Sequence, residues 1–126
     1  MTGTIRPATP EDAAHLVDLV DLAGHGLPMA TWSSVAGPDV AGPARQAAAR
    51  SLGLTLARRD RGGFSWRNAH LALVAGRVAG MAMVWRLPDS PRDTGGVPPL
   101  ARPLQELENL CGGISYINAV AVYPEF

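Results

Sequence analysis

Residues 69–87 read Ala69-His-Leu-Ala-Leu-Val-Ala-Gly-Arg-Val-Ala-Gly-Met-Ala-Met-Val-Trp-Arg-Leu87. Ala69 to Val74 and Val78 to Leu87 are two apolar runs, and Ala75-Gly76-Arg77 between them supplies the glycine that a tight reversal needs. This pattern predicts an antiparallel hairpin. It also excludes a membrane span here, because Gly76-Arg77 interrupts the most hydrophobic part, Leu71 to Trp85, well short of a bilayer's thickness.

Upstream of the hairpin the period is helical. Thr9-Pro10-Glu11-Asp12 sets a hydroxyl at an N-cap, proline at the first helical position and two carboxylates in the first turn. Ala13, Leu16, Val17, Val20 and Ala23 recur at helical spacing until Gly24-His25-Gly26 stops the run. Before it, Thr4-Ile5-Arg6-Pro7 suits a short strand at an edge, since Pro7 has no N–H to give to a ladder. Pro28 to Val35 reads as a short helix closed by Gly37-Pro38, and Pro43 to Leu52 as a second, ended by Gly53. Arg58-Arg59-Asp60-Arg61-Gly62-Gly63 is a charged loop: a solvated turn, or in a sharper reading a patch that contacts phosphate.

Downstream, residues 88–99 form a loop of proline, glycine and aspartate. Leu100, Leu104, Leu107 and Leu110 then predict a helix, with Glu106 and Glu108 off its apolar stripe and Gly112-Gly113 after it. Ile114 to Val122 predicts a last strand, closed by Tyr123-Pro124. The order strand, helices, hairpin, helix, strand is that of one α/β domain.

Composition removes several functions. The 126 residues carry eleven arginines, no lysine and eleven acidic residues, for a formal charge of +0. A broad nucleic-acid footprint needs surplus positive charge, so binding through Arg58, Arg59 and Arg61 is disfavoured and no nucleic-acid partner is expected. The lone Cys111 excludes an intrachain disulfide and a Cys-rich zinc site, and it reads as a buried helix-end thiol. His15, His25 and His70 have no ligand spacing between them, so no metal is expected. There is no nucleophile elbow, no Walker loop and no dinucleotide fingerprint. Trp32, Trp66 and Trp85 read as core or rim aromatics. Met1-Thr-Gly-Thr-Ile-Arg6 lacks a secretory apolar core, which points to a reducing, cytoplasmic setting with no membrane partner.

Three segments together resemble the GNAT superfamily of acetyl-CoA-dependent N-acetyltransferases. Thr4-Ile-Arg-Pro-Ala-Thr-Pro-Glu-Asp-Ala13 is similar to the family's opening strand and first helix. Leu71-Ala-Leu-Val-Ala-Gly-Arg-Val-Ala-Gly-Met-Ala82 is similar to its second and third strands, and Tyr116-Ile-Asn-Ala-Val-Ala-Val-Tyr-Pro-Glu-Phe126 to the fourth strand leading into the cofactor loop. They occur in the family's order along the whole chain. The resemblance implies a mixed, mostly antiparallel sheet flanked by helices and incomplete at the C-terminus. Residues 1–126 would form a single partial acetyltransferase domain, with a helical insertion near residues 100–111. The family's pyrophosphate loop, Arg/Gln-x-x-Gly-x-Gly/Ala, would begin after Phe126, making this the N-terminal part of the enzyme.

The implied activity is direct transfer of acetyl from acetyl-CoA to a primary amine on a small molecule or peptide, with this chain alone inactive. In the family the pantetheine arm lies along the fourth strand and bonds to its main chain. Val120, Ala121 and Val122 are therefore the implied cofactor-binding residues. Tyr116 and Asn118, taken to share the strand face of Val120 and Val122, are the implied candidates for positioning water or substrate. Glu106 and Glu108 are carboxylates of the insertion, and Gly24 to Trp32 with the Leu100–Leu110 helix would wall the acceptor site. A homodimer is compatible with this reading. The alternative is a non-catalytic binding or interaction module that retains the front half of the fold.

Overall fold

Pairing of the two apolar runs organises the molecule. In a computed structural model, which describes residues 2–126, β2 (Ala69–Val74) and β3 (Arg77–Arg86) form an antiparallel pair with Val74 opposite Arg77. Ala75 and Gly76 turn the chain with φ of 50° and 75°, the left-handed geometry that matches the twist of a two-residue hairpin. The other two strands, β1 (Gly3–Pro7) and β4 (Ser115–Val122), add on either side in the order β1-β2-β3-β4, antiparallel throughout. Pro7 sits at the edge, as its missing N–H requires. The fold is α/β, and among the described residues no helix is long and apolar enough to cross a membrane.

Helices α1 (Ala13–Ala23), α2 (Leu27–Ala36) and α3 (Gly42–Arg58) form the second layer. Leu16, Val17 and Val20 of α1 meet Leu71, Met81, Met83, Ala119 and Ala121 of the sheet in one buried cluster. Complete burial of Leu16 and Val17 stabilises the fold by roughly 1.5–3 kcal/mol each. Asp12 ends a 3-10 turn at Pro10–Asp12 that leads into α1. Its carboxylate accepts two hydrogen bonds from Arg6, at 2.8 and 2.9 Å, and one from the Thr9 N–H at 2.8 Å. The Thr9 hydroxyl also donates to this carboxylate, which ties β1 to the start of the helix layer.

Two element boundaries depart from the sequence expectation. Gly53 does not end the third helix, which runs on to Arg58. A Cβ on Gly53 would lie 2.8 Å from Cζ3 of Trp32, so this glycine lets α3 close on the buried indole of α2. The leucine-striped helix is α4 (Arg102–Asn109), and its stripe does not enter the core: Leu107 is 62% and Leu110 81% exposed.

The expected flanking of the sheet is realised on one face only. In register across the strands, Ile5, Ala72, Gly80 and Val122 make one row and His70, Ala82 and Val120 the next. These rows lie on the face away from the helical layer, where Ile5 is 70% and Val120 61% exposed.

Candidate functional site

The last strand is an edge strand with an interruption. Met83 pairs with Ala119 but Val84 pairs with Ile117, so Asn118 is an extra residue on β4. A bulge of this kind breaks the ladder and changes which residues share a face. The expectation that Tyr116 lies on the face of Val120 and Val122 is therefore corrected. Tyr116 pairs with Trp85 and its ring meets that indole edge-on, with centroids 5.4 Å apart. Trp85 packs against the core together with Met81 and Met83. Ile117, not Tyr116, joins Val120 and Val122 among the exposed apolar residues. Strict alternation from Val122 back to Tyr116 fails because one inserted residue shifts the parity.

Beyond the bulge the strand is regular. Val120 and Val122 are more than half exposed, whereas Ala121 is buried against the helix layer. Lying at the end of the strand order, β4 offers main-chain donors and acceptors on its outer side, with small or β-branched side chains beside them. Chemically this is a rail for an extended ligand, which could be held by main-chain hydrogen bonds.

Tyr116 also lines a hollow of about 250 Å³ beneath α4, with Leu87, Leu104, Leu107, Glu108, Cys111 and Ile114. Burial pushes its hydroxyl above the ordinary tyrosine pKa, Asn118 opposes this through a hydrogen bond from its amide at 3.4 Å, and Glu108 adds to the rise. The phenol is thus protonated at neutral pH: it can donate a proton or a hydrogen bond but cannot serve as a base. Of the two insertion carboxylates, Glu108 reaches this hollow; Glu106 is exposed and does not line it. Cys111 is exposed, not the buried thiol expected, because α4 ends before it and it falls in the following turn.

The two proposed walls of an acceptor site each line a hollow of their own. Met29 lines a depression with Asp21 of α1 and Gln46 and Arg50 of α3, while α4 lines the Tyr116 hollow. Trp32 is a core residue, tilted against Phe64. A pair that the sequence did not suggest is His15 with Tyr123, whose Nδ1 and hydroxyl lie 2.8 Å apart. They are 108 positions apart, and only the packing of α1 across β4 joins them. The Tyr123 hydroxyl is also raised, chiefly by burial. His25 lies in the turn between α1 and α2, and His70 lies on the open sheet face. Comparison with family models, with curated proteins and with solved structures found no match to this chain.

Proposed function

We propose that the chain contributes the strand side of a GNAT-type acetyltransferase site, working in the cytoplasm on a primary amine of a small molecule or peptide. The observation that carries this reading is β4, a bulged edge strand with its outer main chain open and small residues at Val120, Ala121 and Val122. Acetyl-CoA supplies an activated acetyl group to such a site. The β4 amides hold the extended arm and are the groups able to polarise a carbonyl oxygen. Ala121 keeps the middle of the rail flat, and the flanking valines exclude water from it. Tyr116 holds a proton, and Asn118 orients the Tyr116 hydroxyl or a water beside it. A GNAT-like sheet and the covering α4 insertion belong to the same proposal. No phosphate-loop motif occurs within the 126 residues, so this chain by itself is proposed to be inactive.

The test is an amide chemical-shift titration of the 126-residue chain with acetyl-CoA. Main-chain contacts alone should give weak binding, of the order of 1 mM, with shifts concentrated at Asn118 to Val122. Shifts elsewhere but not on β4 overturn the assignment. The second reading, a non-catalytic interaction module, is favoured by the exposed face of Ile5, Ile117, Val120 and Val122. It requires that acetyl-CoA leave every amide unmoved.

A further inference from the structure

The arginine loop that follows α3 has no part in acetyl transfer, and it borders an open hollow. Asp60, Arg61, Gly62, Gly63, Arg67 and Arg92 surround a concavity of about 270 Å³ with the Trp85 indole as one wall. Three arginines and one carboxylate thus line the same hollow. Arg67 donates to Asp60 from Nε and Nη2, at 3.2 and 3.1 Å, which offsets one positive charge. Among the described residues, the guanidinium groups of Arg61 and Arg92 have no carboxylate partner.

The frame around these charges is fixed. Asn68 Nδ2 donates to the carbonyls of Gly62 and Gly63, at 3.0 and 3.1 Å. The buried Ser65 hydroxyl donates to the Arg59 carbonyl at 2.6 Å. Far along the chain, Asn109 of α4 accepts from the Arg92 N–H at 2.9 Å and donates to its carbonyl at 2.8 Å. Gly63 lies flat against the six-membered ring of Trp85; a Cβ there would be 3.1 Å from Cζ2. Trp85 Nε1 is buried and, among the described residues, has no hydrogen-bond partner.

We infer that this hollow binds the phosphate of a small phosphomonoester. Two uncompensated guanidinium groups match a dianion better than the single charge of a carboxylate, and their planar forks suit phosphate oxygens. The volume admits a phosphate with a ring-sized substituent against Trp85. The zero net charge and single compact hollow distinguish this site from a track for polymeric nucleic acid. The inference does not depend on acetyl transfer, because none of the hollow's residues lies on β4.

Phenyl phosphate, inorganic phosphate and benzoate are titrated separately into the chain at low salt, with tryptophan fluorescence and melting temperature as readouts. Both phosphates should bind and raise the melting temperature, phenyl phosphate more tightly because its ring meets Trp85. Benzoate should bind about tenfold more weakly. Arg61→Gln and Arg92→Gln should each weaken phenyl phosphate by about tenfold without lowering the melting temperature of the free chain. Arg45→Gln, at the far end of α3, should leave binding unchanged. Trp85→Phe should diminish the fluorescence change, Trp66 remaining under Arg67, but retain the phosphate-induced rise in melting temperature. Benzoate binding equal to that of phenyl phosphate, or undiminished phosphate binding by the Arg61→Gln/Arg92→Gln double variant, overturns the inference. So does the absence of any response to either phosphate.

Discussion

Asp12 shows how much one side chain can carry in a molecule this small. It is 7% exposed, and its two oxygens together accept from Nη1 and Nη2 of Arg6, the Thr9 N–H and the Thr9 hydroxyl. The Arg6 guanidinium, aided by the Thr9 N–H and opposed by burial, holds the carboxyl at about 2 against an ordinary value of 3.8. A depressed carboxyl contributes stability above its unfolded pKa and loses it as the pH falls towards its folded one. The contribution is therefore intact at neutral pH, about 2 kcal/mol, and disappears between about pH 4 and pH 2. Asp12→Asn should lower urea-unfolding stability by about this amount at pH 7, and the gap between the two proteins should close as the pH falls through that window. A gap of constant size from pH 7 to pH 2 would contradict it. Thr9-Pro10-Glu11-Asp12 was legible in the sequence as a helix start, because capping is local chemistry. Its partner Arg6 was not, because that contact requires β1 to lie against the helix start. The His15–Tyr123 pair was hidden for the same reason, across 108 positions.

At the scale of elements, local signals gave the right kinds of segment, and tertiary contacts set the exceptions. The hairpin at Ala75-Gly76, the edge strand ending at Pro7 and the helix after Asp12 follow from period, turn chemistry and caps. Gly53 and Asn118 are where those rules failed. A glycine after a helical run reads as a stop, yet here it is a gap for Trp32; a period of two reads through a strand, yet one bulged residue flips the parity. The parity error moved Tyr116 to the wrong side of the sheet, so the candidate site was legible as a strand and not as a geometry. Gly53 gives a test with a sign. In an open helix, glycine to alanine stabilises by about 1 kcal/mol. Here the added methyl would press into the indole, and overpacking of this kind costs about 1–3 kcal/mol. Gly53→Ala should therefore destabilise the protein in urea unfolding. In a Trp32→Leu background, with the ring gone, the same change should become neutral or stabilising. Stabilisation in the native background would mean that α2 and α3 do not close on this glycine.

Across the whole molecule, two layers are stacked and the outer side of the sheet is left open. The helices cover one face; on the other, Ile5, Val84, Ile117, Val120 and Val122 are 70, 36, 64, 61 and 54% exposed. A contiguous apolar face of this kind marks a surface that associates, and the edge of β4 beside it, unpaired among the described residues, favours strand-to-strand contact. The formal charge of +0 removes the long-range repulsion that would keep copies apart. The chain should therefore self-associate at concentrations of about 10–100 μM and enhance the fluorescence of an apolar dye. Lysine at Ile117 and Val120 gives a direct check. Both side chains already face outward, so the double variant Ile117→Lys/Val120→Lys removes little buried area while placing two positive charges on the face. It should sediment as a monomer with reduced dye binding and a melting temperature within a few degrees of the native chain. Loss of the cooperative melt in that variant would show that these residues are already covered by the protein's own packing. Unchanged self-association would place the contact away from the open sheet.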